Sequence, residues 1–340
     1  MVAFERYSRQ TLFGPIGRQG QERLLASSVA IIGCGALGTM LANHLCRAGI
    51  GQVTIVDRDY VELSNLQRQI LFDEDDVQAH LPKAVAAARK LERINSEVRV
   101  EALVADLDAE EVESLVQRVD LVLDATDNFE TRYLLNDACV KHRRPWIYSG
   151  VIAAHGVTMN ILPGETACLR CVFPEMPPPG STPTCDTAGV LNGIVSMISG
   201  IAATEALKIL LQSPLISRAL LAADLWENTF ERLELPRQPD CPTCSLGRFD
   251  FLNASIQSRT TALCGRNAVQ VRSSRRGTPV DLGALAQRLE ALAPVQHNAY
   301  LLRFTIDGYE MTVFSDGRAI IKGTDNEQVA RSLYARYIGM

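Results

Sequence analysis

Gly33-Cys34-Gly35-Ala36-Leu37-Gly38 follows the apolar run Ser28–Gly33 directly and opens a helical pattern over Ala36–Ala48. Glycines at such a strand-to-helix corner let backbone N–H groups approach a phosphate or ribose, and a helix N-terminus favours negative charge. Working outward, strand-length apolar runs at Gln52–Asp57, Val98–Val104, Asp120–Asp124 and Trp146–Val151 alternate with helical patterns at Pro82–Ile94, Glu110–Val116 and Phe129–His142. Alternation of this kind predicts an α/β fold, a mostly parallel sheet with helices on both faces.

Past Val151 the pattern changes. His155–Leu162 reads as an antiparallel strand, residues 163–183 as a proline- and glycine-rich loop, and about 189–211 as a long helix, with strands near Ala219–Leu225 and Thr229–Leu235. Beyond Cys244 a tail carries strand-like alternation at Tyr300–Thr305, Glu310–Phe314 and Ala319–Lys322, with turns at Asp307-Gly308 and Asp316-Gly317. The expected organisation is a nucleotide-binding domain over 1–248, with a crossover loop at 163–187, and a small α+β extension over 249–340.

Composition narrows the function. With 47% hydrophobic and 21% charged residues the 340-residue chain has a globular make-up. A net charge of -5 leaves no basic excess for a phosphate-backbone binder, so no nucleic acid partner is expected. Residues Met1 to Gln10 show no secretory pattern and Gly193–Ala203 is too short to span a bilayer, so no membrane partner is expected and the compartment is read as cytoplasmic. Nine cysteines without disulfide-scaffold spacing point to a reducing compartment and to metal binding, catalysis or burial.

Asp57 ends the second strand, placed to accept hydrogen bonds from ribose hydroxyls. The glycine corner and Asp57 alone would suit NAD. The following segment argues for ATP instead: Asp57-Arg58-Asp59, Ser64-Asn65-Leu66-Gln67-Arg68-Gln69 and Leu81-Pro82-Lys83 add cations that a triphosphate needs and a dinucleotide does not. Asp124-Ala125-Thr126-Asp127-Asn128 lies at a strand's carboxyl end, where Asp127 can supply a carboxylate to Mg²⁺. Taken singly, each of these charges reads as a solvated surface group; together at strand ends they read as an ATP–Mg site.

Cys168-x-x-Cys171 and Cys241-x-x-Cys244 form two knuckles whose four thiolates suit a closed, structural Zn²⁺ site. Cys34, Cys46, Cys139 and Cys264 read as packed thiols. Cys185 stands apart at the exit of the proline-rich loop, just before a helix that would favour its thiolate, although Asp186 opposes this.

In order along the chain, Arg6-Tyr7-Ser8-Arg9-Gln10, the glycine corner, Asp57-Arg58-Asp59, the Ser64–Gln69 string, Leu81-Pro82-Lys83 and Ala125-Thr126-Asp127-Asn128 resemble the ThiF/MoeB family, adenylyltransferases related to the ubiquitin-activating enzymes. The resemblance spans about Arg6 to Cys244 and implies a Rossmann-like ATP site built from Gly33, Gly35, Gly38, Asp57, Asp59, Asn65, Arg68, Lys83, Asp127 and Asn128. It assigns Asn65 and Arg68 to the phosphates, Lys83 to the triphosphate and Asp127 to magnesium. Arg9 would reach the ATP of a neighbouring subunit, which implies a homodimer. The implied reaction is adenylation of the C-terminal Gly-Gly carboxylate of a ubiquitin-like sulfur carrier of the ThiS/MoaD type, releasing pyrophosphate. Cys185 would attack the acyl-adenylate or join in sulfur transfer, with a cysteine desulfurase as a candidate donor. Leu191-Asn192-Gly193 departs from the Leu-Gly-Pro expected after it. The string Thr261–Asn267 resembles an extension on Bacillus-type ThiF proteins and, with Cys185, leans towards thiamin over molybdopterin synthesis. The competing readings are an NAD-dependent oxidoreductase, which leaves Arg68, Lys83, Asp127 and the cysteine knuckles unexplained, and a non-catalytic carrier-binding scaffold.

Overall fold

A computed structural model describes residues 4–178, 185–253, 260–263, 267–272 and 279–339. The chain divides into two compact units, Met1–Pro178 with Ala188–Ala254, and Pro179–Thr187 with Ser255–Met340.

The first unit begins with α1 (Ser8–Thr11) and α2 (Gly17–Ala26), which the sequence patterns did not announce. Gly20 sits inside α2, where a Cβ would lie 3.1 Å from a methyl of Leu211. Alternation then follows: β1 (Ser28–Ile32), α3 (Ala36–Ala48), β2 (Gln52–Asp57), α4 (Glu74–Gln78), α5 (Lys83–Ile94), β3 (Arg99–Val104), α6 (Ala109–Arg118), β4 (Leu121–Asp124), α7 (Phe129–Lys141) and β5 (Trp146–Ile152). After β5 come β6 (His155–Ile161), α8 (Leu169–Val172), α10 (Asn192–Leu210), β7 (Leu220–Asp224), β8 (Thr229–Leu233) and α11 (Asp250–Asn253), with the four-residue α9 (Cys185–Ala188) preceding α10 in the chain and falling mostly in the segment grouped with the second unit.

The eight strands form one sheet in the order β3-β2-β1-β4-β5-β6-β7-β8. Neighbours from β3 to β5 run parallel and those from β5 to β8 antiparallel. The chain turns back on itself at β1, with β2 on one side and β4 on the other, so a crevice opens beyond the carboxyl ends of β1 and β4. One sheet face packs Ala30, Ile32, Val56 and Val122 against Val112 and Leu115 of α6 and Tyr133 and Leu135 of α7. On the other, α3 and α10 meet through Leu37, Met40, Ile194, Val195 and Ile198.

α10 is long and apolar enough to cross a membrane, yet half of its most apolar window is buried. Its Glu205, also buried, accepts hydrogen bonds from Asn160 Nδ2 (2.6 Å) and Ser217 N (2.9 Å) and pairs with Lys208 (2.6 Å). It is packed as a core helix.

In the second unit the antiparallel strands are β9 (Thr260–Leu263), β10 (Ala268–Val271), β11 (Val295–His297), β12 (Leu301–Ile306), β13 (Tyr309–Phe314) and β14 (Ala319–Lys322), in the order β11-β12-β13-β14-β10-β9. α12 (Leu282–Leu289) and α13 (Glu327–Tyr337) pack Leu285, Leu289, Leu333 and Tyr334 against Val269, Leu302, Met311 and Ile321. Asp307 and Gly308 both take positive φ (52° and 81°), the geometry of a two-residue hairpin turn whose twist matches the strands it joins.

Gly156 on β6 tests the packing of α10. A Cβ there would collide with Ile198 and come within 2.8 Å of Ile194. Gly156→Ala is therefore expected to cost about 1–3 kcal/mol through overpacking, read as a lowered denaturant midpoint. An unchanged midpoint would mean that α10 can move away from the sheet.

Candidate functional site

The crevice is shaped by close backbone approach. Gly33 has φ +93°, and a Cβ on it would lie 2.5 Å from the Ala125 carbonyl oxygen, so the corner after β1 closes onto the end of β4 only because that residue is glycine. A Cβ on Gly38 would strike the Gly33 carbonyl. Gly35 precedes α3, whose first turn carries no side-chain cap.

Asp57 ties this corner to the next. Its Oδ2 accepts from Cys34 N at 2.5 Å and its Oδ1 from Asp59 N at 2.7 Å. Burial pushes the Asp57 carboxyl above its usual range, with Lys83 pulling it back. Lys83, itself 5% exposed, opens α5; its Nζ lies 3.3 Å from Asp59 Oδ2 and its backbone N donates to the Asp59 carbonyl at 2.9 Å. Arg58 pairs with Asp106 at 3.4 Å. Burial acts to lower its pKa, but the carboxylates of Asp106, Asp59 and Asp127 more than offset this and hold it above the ordinary value.

Asn65 is buried, and its Oδ1 accepts from Glu62 N at 3.0 Å, pinning the turn that carries Arg68. Arg68 is half-buried and donates to the Ser64 carbonyl at 2.9 Å. Gln69, in the same Ser64–Gln69 string, is 3% exposed. Its Oε1 has no hydrogen-bond partner among the described residues, and its Nε2 would be 3.9 Å from a Cβ on Gly35, beside the glycine corner.

The turn after β4 is built around a residue that sequence reasoning passed over. Arg132 is buried in α7, donates from Nε to Asp124 Oδ2 at 3.1 Å and from Nη2 to the Thr126 carbonyl at 2.7 Å, and lies 5.3 Å over the rings of Phe129 and Tyr148. Asp124 Oδ1 accepts from the amide and hydroxyl of Thr126 at 2.9 and 2.7 Å. Burial raises the Asp124 carboxyl and Arg132 lowers it again. The exposed Asp127 is thus carried on a tightly held turn, while Asn128 Oδ1 caps α7 by accepting from Thr131 N at 2.9 Å. The spacing Asp124, Asn128, Arg132 was the available signal, since a side chain one helical turn beyond a cap can fold back over the strand end.

Gly33, Gly35, Gly38, Asp57, Asp59, Lys83 and the 124–128 turn therefore converge on one edge. Arg9 does not join them. It is exposed on α1 and makes no ion pair among the described residues, while its neighbours anchor the segment: Tyr7 is buried and bonded to Asn95 and Glu97, and Gln10 donates to the Ala48 carbonyl at 2.8 Å. Cys185 opens α9 in the segment grouped with the second unit, so the short helix precedes α10 instead of α10 following directly. Cys34, Cys46 and Cys139 are buried; Cys264 lies outside the described residues.

The four knuckle cysteines do come together. All four Sγ atoms lie within 4.8 Å of one another, with Cys168–Cys241 at 3.6 Å, Cys171–Cys244 at 3.4 Å and Cys168–Cys171 at 3.9 Å. A tetrahedron of thiolates about 2.3 Å from zinc has edges of roughly 3.8 Å, so this donor set fits the ion.

The pattern that defines the ThiF family matches residues 7–243. The chain belongs to the ThiF family. It is 45% identical over 339 residues to the sulfur carrier protein ThiS adenylyltransferase of Bacillus subtilis, covering 98% of this chain and 99% of the relative. Over 247 residues it is 41% identical to the sulfur carrier protein adenylyltransferase of Thermus thermophilus, covering 71% of this chain and 90% of the relative. Among solved structures, Escherichia coli MccB superposes with a TM-score of 0.62 at 24% identity, over 71% of this chain and 72% of that one, a likeness of fold. Membership of the ThiF family agrees with the resemblance read from the motifs, and the mostly parallel α/β fold agrees with the alternation read from the sequence.

Zinc content gives a direct check on the knuckles. The purified chain is expected to carry one zinc per chain by elemental analysis, and Cys168→Ser or Cys241→Ser to lose it. Full retention of zinc in both variants would contradict a four-thiolate site.

Proposed function

We propose that this enzyme uses ATP to adenylate the C-terminal Gly-Gly carboxylate of a ubiquitin-like sulfur carrier. The observation that carries this reading is the edge where Asp57, the Asp59–Lys83 pair and the Asp127 turn meet over a glycine corner, in a chain 45% identical along its length to a ThiS adenylyltransferase. An NAD-dependent oxidoreductase would leave that charged set without a purpose, and a scaffold without turnover would have no need to keep it.

A carboxylate is a poor electrophile until one of its oxygens becomes part of a leaving group. Here a carboxylate oxygen of the carrier attacks the α-phosphorus of ATP; the bond from that phosphorus to the β-bridging oxygen breaks, and pyrophosphate departs with the electron pair. The step needs no protein nucleophile, so catalysis rests on positioning and charge. Asp57, whose two oxygens each retain acceptor capacity beyond the bonds they make, holds the ribose hydroxyls. The backbone of Gly33, Gly35 and Gly38 makes room for the nucleotide. Asn65 and Arg68 take the phosphates, and Lys83, held by Asp59, the triphosphate. Asp127, with Asn128 fixing its turn, is the carboxylate that would hold Mg²⁺, which when bound neutralises phosphate charge. Arg9 completes the site of a second subunit in a homodimer; exposed Leu12 and Phe13 beside it support a self-associating surface. Cys185 acts after adenylation: its thiolate attacks the acyl-adenylate carbonyl and AMP departs to leave a thioester, or it joins sulfur transfer from a donor such as a cysteine desulfurase. Near full-length similarity to the Bacillus subtilis relative favours a ThiS-type carrier and thiamin synthesis over molybdopterin synthesis, and free buried cysteines suit a cytoplasmic enzyme.

Intact-mass spectrometry of the carrier tests this reading. After incubation with enzyme and MgATP, a Gly-Gly-terminated ThiS-type carrier is expected to gain the mass of one adenylyl group (AMP less one water), and the same carrier lacking its last glycine to gain none. Asp127→Ala is expected to abolish the adduct, and Cys185→Ala to preserve it while slowing sulfur delivery. An adduct of equal yield with Asp127→Ala would overturn the role given to that carboxylate.

A further inference from the structure

Cys168 and Cys241 are 73 residues apart, yet their sulfurs approach to 3.6 Å. Two adjacent residues of α7 touch the two knuckles. Asn136 and Asp137 are both fully buried, and each grips a different knuckle. Asn136 Oδ1 accepts from Leu169 N at 2.9 Å, and its Nδ2 donates to Cys168 Sγ at 3.8 Å. Asp137 Oδ1 accepts from the Thr243 hydroxyl at 2.8 Å, between Cys241 and Cys244, and its Oδ2 accepts from Phe251 N at 2.9 Å.

We propose that Asn136 and Asp137 are positioning residues of the zinc centre, one aligning the first cysteine knuckle and tuning its thiolate, the other aligning the second. Consecutive helical residues point about 100° apart, so a single turn of α7 reaches two separate segments. Each group lies where it can act on the metal's ligands without touching the metal. The Asn136 amide presents an N–H to the sulfur that becomes negative on metal binding, a charge-assisted bond that orients Cys168 and moderates its electron donation. The Asp137 carboxylate holds the short Cys241–Cys244 turn from below. Arg170 adds a cross-link of its own, with Nη1 3.5 Å from Thr243 Oγ1 and 3.0 Å from Asp250 Oδ2. The four thiols are therefore gathered by side chains of the fold as well as by the ion. If Asn136 and Asp137 merely satisfied buried backbone amides, changing them would alter stability and leave the metal's affinity and electronic surroundings as they are.

The test is zinc affinity by competition with a chromogenic chelator, together with the thiolate-to-metal charge-transfer band of the cobalt-substituted full chain. Asn136→Asp keeps the acceptor for Leu169 N and replaces the donor to sulfur with an oxygen. It is expected to weaken zinc binding about 10–100-fold, the usual cost of losing an outer-shell partner, and to shift the cobalt band. Asp137→Ala is expected to show a loss of similar size, and Asp137→Asn to recover most of it, because the Thr243 hydroxyl can turn and accept. Thr243→Val, which leaves α7 untouched, gives the same readout should a helix variant fail to fold. Affinities within about twofold of the parent for Asn136→Asp, Asp137→Ala and Thr243→Val, with an unchanged cobalt band, would overturn the proposal, since outer-shell partners ordinarily cost far more. A parent chain that binds no zinc would instead overturn the zinc assignment on which the inference rests. Neither outcome depends on adenylation.

Discussion

The Asp57 carboxylate, bonded at once to Cys34 N and Asp59 N, is the interaction on which the rest of the site depends. One oxygen fixes the glycine corner after β1, and the other fixes the corner after β2. Both corners would otherwise present unpaired amides in a buried place, each costing about 1–3 kcal/mol. The second corner in turn sets Asp59, and through Asp59 it sets Lys83 at the start of α5. Closure of the first corner onto β4 requires that Gly33 have no Cβ. A single buried acid, together with the close approach of Gly33 to Ala125, thus brings three strand ends and one helix start into a common frame.

α7 carries the second constraint. At its start Asn128 caps it and Arg132 reaches back to Asp124 and Thr126. One turn later Asn136 and Asp137 hold the cysteine knuckles. Residues 128, 132 and 136 repeat every four positions, so one stripe of the helix serves both the Asp124–Asn128 turn and the first knuckle. The buried Asp124–Arg132 pair has the form that is costly to break: removal of one partner leaves an uncompensated charge, whereas the intact pair contributes less than its geometry suggests.

What the sequence revealed was local in nature. Strand–helix alternation is a periodic signal, the glycine corner and Asp57 sit at the ends of recognisable runs, and two Cys-x-x-Cys spacings suffice to suggest four thiolates. What it hid depends on contacts between distant segments. Arg132 looks like any helical surface arginine until the chain folds it over Asp124. Gly17 and Gly20 disguised α2, and the close neighbour of Gly20 is a methyl of Leu211 far along the chain. Antiparallel pairing in the second unit puts β10 beside β14, a register that alternation alone cannot supply. Asn136 and Asp137 are two of several polar residues in α7, and nothing in the sequence separates them from the others until their partners are brought to them.

In the proposed reaction the charged edge activates a carrier's carboxylate through its nucleotide. Exchange of labelled pyrophosphate into ATP measures the reverse of that step. Exchange is expected only when a Gly-Gly-terminated sulfur carrier is present, at a rate that rises and saturates with carrier. Absence of exchange with every such carrier, from a folded enzyme holding its zinc, would contradict it.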